Sequence, residues 1–394
     1  MGNSVHARQG WWGLAALTIA RAGMGFQFQC IAAASPFVGD ALGLDKAQLG
    51  WLIGLYLLPG IAFALPGGLL GARYGDKRLV LVGLGLMAAG GLWLSQAQAL
   101  GDASAARIIS GIGAVMLNVL ITKMVADAFD GKERLLAMSI VINSWPIGIG
   151  LALLVVGPLG QTFSWRVGIA SSGAIALAGV LLVAAVVRAP PAVAAPPRGL
   201  GLDAITRTEW PLLLVASLPW LLYNAAFQIN MSFLPSLLID SGLAVADAGR
   251  IVALNAVMFV VGVQAGGLLL KRAQQPDRLC HLGVLAWCAT LALLTTHSAA
   301  ALWVFLGGLL GGLPAAAFVS LPAEVLRAQS RSAGMGVFYT VYYLGCAVLP
   351  TAAGRLYDRH GGAAALWMAA ALALACVPML WLLHRRPARV PLPR

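Results

Sequence analysis

The sequence predicts an all-α integral membrane fold of twelve transmembrane helices, arranged as two homologous six-helix bundles. Three observations carry that reading. Sixty per cent of the 394 residues are apolar and only 10% are charged. With a mean hydropathy of +0.85, this lies outside the range of soluble chains. Most of the chain divides into apolar stretches of about 19 to 29 residues, the length a helix needs to cross a hydrocarbon core of roughly 30 Å. Finally, the string PGGLLGARYGDKRL at 66–79 returns in altered form as AGGLLLKRAQQPDRL at 265–279.

The twelve predicted spans are 11–37, 47–70, 79–99, 105–126, 137–160, 166–187, 210–238, 248–270, 279–297, 301–323, 333–354 and 363–384. A cleaved signal peptide does not fit the first, whose apolar stretch is too long and lacks a small-residue cleavage site. The net charge of +12 does not indicate nucleic acid, because the basic residues are spread over short loops rather than gathered on one face. With the N-terminus inside, cytoplasmic segments hold 18 Lys and Arg, and outer loops hold five: Lys46, Arg166, Arg250, Arg355 and Arg359. This asymmetry predicts cytoplasmic termini and location in a bacterial inner membrane. Cys30, Cys280, Cys288, Cys346 and Cys376 all fall within predicted helices, as small core residues rather than disulfide or zinc ligands.

Adding 199 to positions in the first half carries Phe28 and Gln29 onto Phe227 and Gln228, Pro36 onto Pro235, and Gly43 onto Gly242. The same offset carries Gly67 and Gly68 onto Gly266 and Gly267, and Arg73 onto Arg272. One register holding across two helices and two loops predicts an internal duplication. The expected organisation is an N-terminal bundle at 1–187, a cytoplasmic linker at 188–209 and a C-terminal bundle at 210–394. The linker's proline-rich start cannot continue a helix. Two parallel six-helix repeats joined this way suit a transporter that rocks one half against the other around a midplane site.

The loop between the second and third spans resembles the signature of the major facilitator superfamily. Gly68, Arg73, Gly75, Lys77 and Arg78 match, while Ala72 stands where the signature has an aspartate and Asp76 follows Gly75. In the family that aspartate helps lock the cytoplasmic side. The resemblance therefore implies a gating role for this loop that is either lost here or taken by Asp76, acting with Arg73. Arg107-Ile-Ile-Ser-Gly111-Ile-Gly113 is similar to a second family motif, in the fourth helix. The antiporter Gly-Pro motif is absent from the middle of the fifth helix, since Gly157-Pro158 lies at its outer end. Stretches such as ARAGMGFQFQ, INSWPIGIG and GVFYTVYYLG resemble the cyanate and nitroimidazole permease-like branch.

Ionisable residues inside spanning helices are costly, and three are expected there: Arg21, Arg107 and Lys123. All are basic, and no carboxylate or histidine is expected at the midplane, so a cationic substrate is disfavoured and an anion becomes the natural counter-charge. Arg21 shares a helical face with Gly25, Phe28, Gln29 and Ala32; snorkelling to the interface is its alternative. Arg107 stacks with Gly111, Ala114 and Asn118, either as a second substrate contact or as a structural arginine. Lys123 is expected to pair with Asp127 at i+4. Uncharged residues available to complete a site are Asn143, Trp145, Tyr223, Asn224, Gln228, Asn255, Tyr339, Tyr342 and Tyr343, although amides more commonly bond helix to helix.

The chain is thus read as an inner-membrane secondary or facilitative transporter moving a small anion by alternating access. Expected partners are that solute, the lipid bilayer and no nucleic acid; proton coupling is open, no cofactor is implied, and the protein is expected to be a monomer. A drug or hydrophobic-compound efflux antiporter of the same fold is the alternative. A membrane enzyme or sensor is disfavoured, because no nucleophile–base or ligand cluster and no soluble domain is evident.

Overall fold

The computed structural model describes residues 2–64, 66–129, 131–187, 202–296, 299–327 and 329–384. Most of the predicted linker, 188–201, and the basic C-terminal residues Arg385, Arg386, Arg389 and Arg394 lie outside the described residues. In chain order the α-helices are α1 Gly2–Ala33, α2 Ser35–Leu42, α3 Lys46–Leu55, α4 Gly60–Phe63, α5 Gly67–Tyr74, α6 Asp76–Ser95, α7 Leu100–Ala128 and α8 Gly131–Thr162. There follow α9 Trp165–Val186, α10 Glu209–Asp240, α11 Val245–Arg272, α12 Pro276–Leu294, α13 Ala300–Gly312, α14 Ala315–Val325, α15 Arg331–His360 and α16 Gly362–His384, with a 3-10 turn at Leu202–Ala204.

Eleven helical stretches among the described residues are long and apolar enough to cross a membrane, with α3–α4 and α13–α14 each counted as one. The first predicted span, on α1 and α2, is not among them. α1 has the length, at 32 residues, but carries Arg21, Gln27 and Gln29 in its middle. Two spans are interrupted at prolines, which cannot donate a backbone hydrogen bond: the second at Pro59 and Pro66, and the tenth at Pro314.

The duplication is visible in the backbone. Gly43 and Gly242, related by the 199-residue offset, both take positive φ, 62° and 99°. In each turn the next residue's N–H closes onto an equivalent carbonyl: Leu44 onto Gly39 at 2.9 Å and Leu243 onto Leu238 at 3.1 Å. A left-handed residue of this kind ends a helix at little cost only when it is glycine.

By contacts the chain forms two compact units, Met1–Leu44 with Leu55–Pro197, and Asp45–Gly54 with Arg198–Arg394. In the first, α6 packs on α7 and α9, and α1 packs on α8 and α9. Glycines set these crossings: a Cβ on Gly83 would stand 2.8 Å from the Gly113 carbonyl, and Gly25 and Gly148 lie against the Trp145 and Ala22 carbonyls. Small residues that let backbones approach are how membrane helices associate when lipid is as apolar as their side chains.

In the second unit α10 packs on α15 and α16, and α11 packs on α13. Glu209 is the first residue of α10, and its carboxylate gathers donors from the turn before it and from across the unit. It accepts from Thr206 N–H at 2.8 Å and, across the fold, from Ser330 at 2.7 Å and Arg327 N–H at 2.9 Å. That network ties the start of α10 to the turn before α15.

Candidate functional site

The α1–α8 crossing places Arg21 against a defect in α8. Pro146 has no N–H to give to the carbonyl four residues back, that of Ile142. Arg21 supplies a donor: its Nη1 reaches the Ile142 carbonyl at 3.2 Å, the Val141 carbonyl at 2.7 Å and Ser144 Oγ at 3.1 Å. Nε donates to Asn118 Oδ1 on α7 at 3.0 Å. The half-buried guanidinium is therefore oriented from two helices, and each of these acceptors is a neutral oxygen. Asn143 and Trp145 lie beside it in sequence on α8, both half-buried, and the Trp145 ring sits 5.1 Å from that of Phe28. The structure thus gathers Arg21, Asn118, Ser144 and the Val141 and Ile142 carbonyls.

Arg107 has a different environment. It is wholly buried, at 0% exposure, and donates to the α1 carbonyls of Gln27 at 2.8 Å and Phe28 at 3.2 Å. Its guanidinium carbon lies 4.4 Å from the Tyr56 ring centroid. Tyr56 in turn donates to Gln27 Oε1 at 3.3 Å, and Gln27 Nε2 to the Met87 carbonyl at 2.8 Å. This is the geometry of a tie between helices, the structural alternative of the two that the sequence leaves open. Gln29, the next residue along α1, is fully buried.

In the second unit, buried Tyr223 donates to the Gly311 carbonyl at 2.7 Å, packed edge-on to Trp287 and Phe318. Asn255 bonds the Val304 carbonyl at 2.7 Å and Asn224 the Trp220 carbonyl of its own helix at 2.8 Å. Both amides are engaged by backbone, the commoner use of such groups in membranes. Gln228 is buried. Tyr339 and Tyr342 are half-buried and meet edge-on, with Trp220 tilted 6.2 Å from Tyr342; Tyr343 points inward and is buried.

The signature loop departs from expectation in one pairing. Lys123 does not pair with the exposed Asp127 but with Asp76, its Nζ standing 2.8 Å from Asp76 Oδ2 and 3.0 Å from Oδ1. Arg73 is exposed and lies over the Tyr74 ring at 5.3 Å. The cause is local. Gly68 lies in α5, and Gly75, at φ 91°, turns the chain so that Asp76 begins α6. Gly71 leaves the space its carboxylate fills, since a Cβ there would collide with Asp76 Oδ1. Lys77 donates to the Ala184 carbonyl at 3.0 Å, and Arg78 is exposed.

Because the Lys123 side chain is 35% exposed, the pair is expected to contribute only about 0.5–1 kcal/mol. Asp76→Asn and Lys123→Gln should each lower the melting temperature slightly, and the double variant should lose little beyond either single one. Fully additive losses would show that the two charges are uncoupled.

Among curated proteins, the chain is 28% identical over 383 residues to the 3-(3-hydroxy-phenyl)propionate transporter of Escherichia coli (strain K12), covering 92% of this chain and 91% of that one. It is 23% identical over 246 residues to the hexuronate transporter of Bacillus subtilis (strain 168), covering 60% of this chain and 58% of that one. Among solved structures, the inward-open xylose transporter XylE from E. coli superposes with a TM-score of 0.76 at 14% identity, over 96% of this chain and 97% of that one. The family model for the Major Facilitator Superfamily matches residues 17–299. The chain, with its apolar helices, therefore belongs to the Major Facilitator Superfamily and is a multi-pass membrane transporter of small solutes.

Proposed function

We propose that the solute is a small organic carboxylate and that Arg21 is its principal contact, with Asn118 and Ser144 holding the guanidinium in place. The observation that carries this reading is the fixed, half-buried Arg21. A guanidinium whose Nε and Nη1 are oriented by Asn118, Ser144 and two carbonyls is organised before an anion arrives, so less is lost in ordering it. In low dielectric a charge-assisted bond from such a group to a carboxylate is stronger than a neutral one. The two relatives named above support the class, since both of their named solutes are carboxylates. Trp145 with Phe28, and separately Tyr339 with Tyr342, offer flat apolar faces for the rest of the solute.

The chain moves that solute by alternating access of two halves, 1–187 and 210–394, joined by the segment 188–209, with both termini on the cytoplasmic side. The charge asymmetry of the loops supports this orientation.

The test is a thermal-shift series on purified protein with 3-(3-hydroxyphenyl)propionate, a hexuronate and the neutral amide of the former. A ligand that binds the folded state alone raises its apparent stability. The acids are expected to raise the melting temperature in a concentration-dependent way and the amide is not. Equal stabilisation by acid and amide would overturn the carboxylate reading.

A further inference from the structure

Pro146 divides α8 into two arms, and α1 holds them by different means. At and after the proline the hold is backbone on backbone: Gly25 of α1 lies against the Trp145 carbonyl, and Gly148 lies against the Ala22 carbonyl. Contacts of this kind have no side chain to release. Before the proline the hold runs through Arg21, whose Nη1 takes the Val141 and Ile142 carbonyls at 2.7 and 3.2 Å. An unbroken helix would not need the second of these, because the N–H at position 146 would serve the Ile142 carbonyl.

The internal duplication supplies a comparison. The offset of 199 carries Arg21 onto Trp220. An offset of 197, which carries Met138 onto Met335 and Gly148 onto Gly345, sets Tyr343 at the position equivalent to Pro146. Tyr343 has the backbone N–H that Pro146 lacks. The arginine and the open carbonyl therefore occur together in the first repeat, and neither recurs in the second.

The hydrogens of Arg21 are few for what surrounds them. Nε has one, and Asn118 Oδ1 accepts it at 3.0 Å. Nη1 has two, against three acceptors: the two carbonyls and Ser144 Oγ at 3.1 Å. A carboxylate that meets the guanidinium with both oxygens must then approach the end that includes Nη1, and it displaces an acceptor already there. The Ile142 carbonyl, at the longest of the three distances, is the one that yields.

We infer that Pro146 is a positioning residue that couples solute binding to α8: the solute's carboxylate and the Ile142 carbonyl compete for Arg21 Nη1, and binding releases the arm of α8 before Pro146 while the arm after it stays on α1. The inference rests on the carboxylate reading above and adds to it a consequence for the helix.

Pro146→Ala and Pro146→Gly each restore an N–H that can close onto the Ile142 carbonyl; alanine also favours the helix, whereas glycine does not. Affinity for 3-(3-hydroxyphenyl)propionate is measured on the purified full chain, and turnover of the same acid in proteoliposomes. Both variants are expected to bind roughly two- to tenfold more tightly, the range that one net hydrogen bond provides, and to turn over more slowly, because occupancy no longer releases the arm. Pro158→Ala, which restores a donor to the Leu154 carbonyl elsewhere in α8, should change neither quantity.

Parent affinity in both Pro146 variants, with binding lost in Arg21→Ala, would overturn the coupling and leave the carboxylate reading standing. Tighter binding at parent turnover would overturn it too, as would the same changes in Pro158→Ala, which would make them an effect of straightening the helix. Parent affinity in Arg21→Ala would remove the carboxylate reading and this inference with it. Should one Pro146 variant fail to fold, the other decides.

Discussion

Arg107→Ala is expected to be the most destabilising single substitution in the first unit, lowering stability by about 3 kcal/mol or more. The side chain is at 0% exposure, so its removal leaves a cavity the size of most of an arginine inside close-packed helices. It also deletes two charge-assisted hydrogen bonds to α1 and the contact with Tyr56. Arg107→Lys should not rescue it. A lysine keeps the buried charge but loses the planar fork that reaches Gln27 and Phe28 together, and a buried cation with poor partners is itself costly. The check is the melting temperature and the recovered yield of folded protein for both variants. A melting temperature within a degree or two of the parent protein in Arg107→Ala would show that the tie between α7 and α1 is dispensable.

How much of this was legible in the sequence follows from the range of the forces involved. The spanning helices were readable because bilayer thickness dictates their length and apolarity. The duplication was readable because Gly43 and Gly242 answer to the same local turn, and the structure shows positive φ at both. The first span escaped a simple hydropathy criterion for the very reason it matters: its polar residues are Arg21, Gln27 and Gln29.

The pairing of charges was not legible. Asp76 and Lys123 are 47 residues apart. Only the turn at Gly75 and the absence of a Cβ at Gly71 bring them together, whereas spacing alone points Lys123 to Asp127 at i+4. Asp358 accepts from the Lys46 N–H of α3 from 312 residues away, a pairing that no local pattern announces. Pro146 withholds a donor from the Ile142 carbonyl, a local sign of a place for an outside donor, and Arg21 supplies one.

Arg21→Ala is expected to abolish carboxylate transport while leaving a folded protein. Its loss takes the donor from the Ile142 carbonyl, a cost of about 1–3 kcal/mol for a fully buried group, and less here because water can reach a half-buried site. A modest fall in melting temperature should therefore accompany the loss of transport. Arg21→Lys keeps the charge without the fork, so binding should survive in weakened form with poorer discrimination among anions. Asn118→Ala should lie between, since it frees the guanidinium from α7 without removing it.

The central claim is that this guanidinium receives the anion, and the affinity for 3-(3-hydroxyphenyl)propionate in the folded Arg21→Ala protein tests it most directly. A weakening of about 10- to 100-fold is predicted, the loss of one charge-assisted contact of about 1.5–3 kcal/mol. An affinity equal to that of the parent protein would contradict it, and would leave Arg21 as a structural donor to the break in α8.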